Sequence, residues 1–139
     1  MNSKQEILAY INSLCKDTLM ETLEIKYTEI GEDYLVATMP VTSKVHQPDG
    51  VLNGGATMAL AESVGSPASM VVLDPKKYMV RGISFSANHV KSVSEGIITA
   101  TAKIVHKGRT THLIEIRITD DNDNLISLCK LTNFILPKK

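Results

Sequence analysis

Glu62 is the only ionisable side chain in Gly54-Gly55-Ala56-Thr57-Met58-Ala59-Leu60-Ala61-Glu62-Ser63-Val64-Gly65-Ser66, a segment otherwise built from small or apolar residues. A lone carboxylate in such a setting can take a proton from water or attack an electrophilic carbon. It can equally lean from a helix edge into solvent or a structural salt bridge, and residue chemistry alone leaves these readings even. Just upstream, Asn53 is a natural N-cap, and Gly54 and Gly55 leave the first-turn amides sterically open. An open helix N-terminus stabilises negative charge, which is what the oxyanion of an attacked carbonyl requires. The alternative is a glycine-rich entry that lets the helix pack closely. Gly54 and Glu62 lie eight residues apart, roughly 12 Å along one helix. If both act on one carbonyl, they come from different subunits, with two such helices antiparallel about a two-fold axis.

Other groups suit an anionic ligand. Lys91, Lys107 and Arg109 can form charge-assisted hydrogen bonds to phosphates or simply end strands in solvent. In His106-Lys107-Gly108-Arg109 a turn glycine flanked by cations can bring backbone amides and charge to one phosphate. His89 sits on a strand with no evident partner. Cys15 and Cys129 are far apart, without metal-ligand spacing or a His/Asn pattern, so a structural metal and a thiol nucleophile are both disfavoured.

These residues need elements to hold them. The 139-residue chain reads as one domain, 1–139, with a helical segment over 1–21 in which Ile7, Leu8, Ile11, Leu14 and Cys15 recur at helical spacing. Strands follow at 23–30 and 33–41 around Gly31-Glu32, then Pro48-Asp49-Gly50 turn chemistry, and a helix from Asn53 to about Leu73 with Pro67 late within it. After Asp74-Pro75-Lys76-Lys77 the pattern is β to the end, over 78–93, 96–106, 110–120 and 125–136. The fold class is therefore α+β. An antiparallel sheet of about six strands wraps one long central helix, which its all-round apolar surface predicts to be buried.

Fifteen Lys and Arg balance fifteen Asp and Glu, so no global field draws the chain onto nucleic acid. No apolar run reaches bilayer-spanning length, and the run Ile7–Ile11 is too short and too mixed for a signal region. A cytoplasmic protein with reduced thiols is expected.

The segment Gln47-Pro48-Asp49-Gly50-Val51-Leu52-Asn53-Gly54-Gly55, followed by Leu60-Ala61-Glu62-Ser63-Val64-Gly65-Ser66, resembles the hotdog-fold acyl-CoA thioesterases of the phenylacetate and menaquinone type. Those read Q-P-x-G-x-x-H-G-G and then L-A-E-S-x-G-S. Ser86 to Lys91, Val93 to Gly96 and His106 to Arg109 fall where the family carries further signatures, and the likeness covers roughly residues 22–136. The resemblance implies acyl-CoA thioester hydrolysis, with an aromatic or medium-size acyl group and no cofactor beyond the coenzyme A of the substrate. It implies Glu62 as nucleophile or general base, the Gly54 amide polarising the carbonyl, Gln47 orienting it, and Ser66 holding the attacking water. Arg81, Gly82, Asn88, His89, Val90, Lys91, His106, Lys107, Gly108, Arg109, Thr110 and Thr111 would line the pantetheine and nucleotide channel. Homodimers with shared sites, pairing into tetramers, are also implied. The chain departs from the pattern at Asn53, where the family has His; Asn caps a helix but carries no proton at neutral pH. A non-catalytic acyl-CoA binder on the same fold is the alternative, and a hydratase would need a His facing a carboxylate.

Overall fold

A computed structural model describes residues 3–139. Helix α1 (Lys4–Ser13) starts at a capping box: Ser3 Oγ accepts from Glu6 N–H while Glu6 accepts from Ser3 N–H. Helix α2 (Leu19–Thr22) is a single turn. Strands β1 (Lys26–Ile30) and β2 (Tyr34–Pro40) form the expected hairpin. Then come α3 (Gly54–Ala68), β3 (Tyr78–His89), β4 (Ile97–Lys107), β5 (Thr111–Thr119) and β6 (Leu125–Pro137). All pairings are antiparallel in one six-stranded sheet of order β1-β2-β4-β5-β6-β3.

The strands alternate buried and partly exposed residues because one face of the sheet lies on α3. Leu35, Ala37, Met39, Ile98, Ala100, Ala102, Ile114, Ile116, Ile118, Cys129 and Leu131 point inward and are essentially inaccessible. From α3, Thr57, Leu60, Ala61, Val64, Gly65 and Ala68 meet them at helical period. The helix lies so close that a Cβ on Gly65 would stand 2.8 Å from Leu131 and 3.2 Å from Ile116. This is the hotdog arrangement expected from the sequence.

Three details differ from expectation. The α-helix stops at Ala68, one residue past Pro67, and one 3-10 turn (Ser69–Val71) carries the chain on. In the N-terminal segment α1 ends at Ser13, and Ile7 and Leu14 are exposed while Leu8 and Cys15 are buried. And α3 is not enclosed on every side: Gly55, Met58 and Glu62 are exposed along one stripe. The unpaired flank of β3, the edge strand beside that stripe, is also largely exposed, with Ile83 58% accessible.

Candidate active site

At the start of α3, local chemistry sets the geometry. Gly50 N–H donates to Gln47 O at 3.0 Å, closing a turn in which Gly50 adopts φ +85°, a conformation that favours glycine. Leu52 N–H donates to Val93 O and Asn53 N–H to Val45 O, both at 2.8 Å, which anchors the helix entry to the sheet end. Asn53 Oδ1 then accepts from Gly55 N–H at 2.6 Å, and Asn53 O accepts from Ala56 and Thr57 N–H. Of the first-turn amides, only Gly54 N–H has no acceptor among the described residues.

Gly54 borders a cleft of about 310 Å³ lined also by Gln47, Val51, Thr57, His89, Val90, Lys91, Val93 and Ile126 among others. His89 closes tightly on the helix: a Cβ on Gly54 would lie 3.0 Å from its Nε2. Its Nδ1 is 3.0 Å from Ser127 Oγ, and Ser127 O–H donates to Asn88 O at 3.1 Å. The Ser127 hydroxyl thus ties the His89 ring to the β3 backbone, with Nε2 facing Gly54. Lys91 reaches Asp120 at 3.4 Å, and backbone and side-chain donors of Asn124 and Asn122 help hold the Asp120 carboxyl down to about 2.

Glu62 is not in this cleft. It lies two turns along α3, exposed, over Gly82 of β3, where a Cβ would stand 3.2 Å from both Glu62 Oε1 and Ser66 Oγ. Any larger residue on that strand would press on both side chains and on Leu131. Beneath them runs a cross-strand row: Gly82 pairs with Asn133, and Asn133 with His112. Asn133 Nδ2 donates to Gly65 O at 3.0 Å and to Ser69 Oγ at 2.8 Å, and Ser69 Oγ lies 2.9 Å from His112 Nδ1. Burial, and then the charges of Lys107 and His106, lower the pKa of His112.

The sequence-predicted residues therefore fall into two groups. Gln47, Asn53, Gly54, Asn88, His89, Val90 and Lys91 gather at one end of α3. Glu62, Ser66, Arg81 and Gly82 gather at the other. The β4–β5 hairpin, with His106, Lys107, Gly108, Arg109, Thr110 and Thr111, belongs to this second end, since Thr111 and Arg81 both pair with Phe134. Asn88 pairs instead with Leu128, roughly 20 Å along β6 from Phe134 at about 3.3 Å per residue. The chain thus carries two separate groups of candidate residues, one around the Gly54 amide and its cleft, the other around Glu62 and toward the cationic hairpin. Ser127, which orients His89, escapes sequence reading because nothing local ties it to that ring.

A six-stranded antiparallel sheet wrapped on one central helix is the hotdog architecture. Residues 49–127 match the thioesterase superfamily, and the chain belongs to that family. The 1,4-dihydroxy-2-naphthoyl-CoA hydrolase of Escherichia coli is 37% identical over 93% of this chain and 94% of its own. The proofreading thioesterase EntH of Cronobacter turicensis is 37% identical over 93% of each. The crystal structure of a Pseudomonas aeruginosa thioesterase variant superimposes with a TM-score of 0.91 at 37% identity, covering 94% of both chains. The protein is a thioester hydrolase. Among the described residues no helix is long and apolar enough to cross a membrane, and no cluster of His, Cys, Asp and Glu has the makings of a metal site.

Proposed function

We propose that the protein hydrolyses acyl-CoA thioesters with an aromatic or medium-size acyl group, in a site shared between two copies of the chain. The observation that carries this reading is the division of the site residues between opposite ends of α3, with Met58 midway on the same exposed stripe. A two-fold axis near Met58 that pairs two β3 edges would bring Glu62 of one copy to Gly54 of the other. It would also cover the exposed stripe and the unpaired edge strand, the surfaces a chain alone leaves open. The relative named for a naphthoyl-CoA substrate supports an aromatic acyl-CoA.

In this reading the thioester carbonyl lies at the Gly54 N–H, steadied by Gln47, and the amide and helix dipole stabilise its oxyanion. Glu62 across the axis activates water or attacks the carbonyl itself, and Ser66, one turn on, orients the water. The acyl group sits between the helices. The coenzyme A chain leaves past His89, Val90 and Lys91 toward the partner's cationic hairpin. No cofactor is needed beyond the coenzyme A of the substrate, and the dimers pair into tetramers. Asn53 acts as the cap.

The test is thiol release from benzoyl-CoA and hexanoyl-CoA by Glu62→Gln, by Gly54→Pro, and by the two variants unfolded together and refolded. Each alone loses at least about a hundredfold. In mixed dimers one site collects both lesions and the other is intact, so random pairing restores about a quarter of wild-type activity. A mixture no more active than its components refutes the shared site, and an active Glu62→Gln refutes the catalytic carboxylate.

A further inference from the structure

Pro67 lies inside α3, where its missing N–H leaves the carbonyl of Ser63 without a helical donor. That carbonyl belongs to the residue next to Glu62. The structure fills the gap from outside the helix: Tyr27 Oη donates to Ser63 O at 2.6 Å. Tyr27 is 6% accessible on β1, and a register shift between Tyr27 and Glu29 bulges the strand just beyond it. Its backbone is clamped on the strand's outer edge by α1, because Tyr27 N–H donates to Asn12 Oδ1 at 2.8 Å and Asn12 Nδ2 donates to Tyr27 O at 2.9 Å. An unbroken line of hydrogen bonds thus runs from α1 through β1 to the turn of α3 that carries Glu62 and Ser66.

We infer that Tyr27 is a positioning residue for the reaction: by replacing the helical donor that Pro67 removes, it fixes the turn on which Glu62 and Ser66 are aimed. A carbonyl left open here draws in water and lets the helix hinge just past Glu62. An ångström of misplacement at a reacting group costs up to about a hundredfold in rate. Burial, and secondarily Cys15, keeps the phenol protonated well above its usual range, so the donor persists across the working pH. This inference rests on the reading that Glu62 acts on the thioester.

The experiment is a two-by-two comparison of Tyr27→Phe and Pro67→Ala, with kcat and KM measured on benzoyl-CoA and hexanoyl-CoA and sites counted by folded protein. Tyr27→Phe should lower kcat about five- to tenfold with KM unchanged. In the Pro67→Ala background the same change should have no effect on kcat, because that substitution restores a backbone N–H to the helix and with it the bond to Ser63 O. An unchanged kcat in Tyr27→Phe, or an equal loss in the Pro67→Ala background, overturns the inference. If Tyr27→Phe alone does not fold, the comparison of Pro67→Ala with the double variant still decides. Glu62→Gln, run alongside, separates the outcomes: if it is inactive while Tyr27→Phe is unaffected, only the positioning role fails.

Discussion

The two ends of α3 are held by different means. At the Gly54 end the group assigned to the proposed reaction is a backbone amide, held by a turn, a side-chain cap and two backbone bonds to the sheet end. At the Glu62 end it is a flexible side chain, and what surrounds it is tertiary: Gly82 beneath, Tyr27 on Ser63, and Asn133, Ser69 and His112 behind the last turn. An amide is preorganised as soon as its helix starts. A carboxylate is preorganised only when every turn under it is fixed.

The largest expected effect tests whether both ends serve one reaction. Glu62→Gln should lose at least about a hundredfold in thiol release, and its recovery in mixed dimers with Gly54→Pro checks that the ends meet across two chains. Next, Gly54→Pro isolates the amide. Proline is accepted at a first helical position, and Asn53 at φ −68°, ψ 132° already has the extended conformation that a following proline requires. Gly54→Ala brings the same Cβ against His89, 3.0 Å from Nε2, but keeps the N–H. The proline variant should therefore be about tenfold or more slower than the alanine variant in kcat, and equal rates would remove the amide from the mechanism.

A smaller effect concerns the network behind Glu62. The folded protein holds His112 below the ordinary value of 6.5, so the unfolded chain binds that proton more readily. The stability it contributes is present above 6.5 and is lost as pH falls through the folded-state value. The urea midpoint should drop from pH 7 to pH 5, and less steeply in His112→Asn; parallel slopes would detach the network from the acid sensitivity. The smallest effect belongs to the amide end: Asn53→Ala should cost about 1 kcal/mol of stability in urea titrations, as capping losses do. A neutral result there would mean that the bonds to Val45 and Val93, rather than the cap, hold the helix entry.

Sequence legibility followed the same division. The Asn53 cap, the turn at Gly50, the glycine-rich entry and the alternating strands are written in adjacent residues, because each depends on local backbone geometry and short-range periodicity. Glu62 could be singled out because nothing else on its helix is charged. Its exposure was one of two even readings, and local sequence could not choose between them, because an apolar helix reads as enclosed whatever covers its last face.

By itself, then, the sequence determined the order of elements, the capped helix start, the candidate carboxylate and, through the eight residues between Gly54 and Glu62, that a single helix holds them too far apart for one carbonyl. Only the tertiary structure decided that Gln47 and His89 lie beside the Gly54 end of α3 while Gly82 and the β4–β5 hairpin lie toward the Glu62 end. It alone also decided that Ser127 orients His89 and that Tyr27 replaces the hydrogen bond lost at Pro67. The physical reason is range: caps, turns and strand alternation act between near neighbours, whereas these partners are joined by strand register and helix packing across dozens of residues.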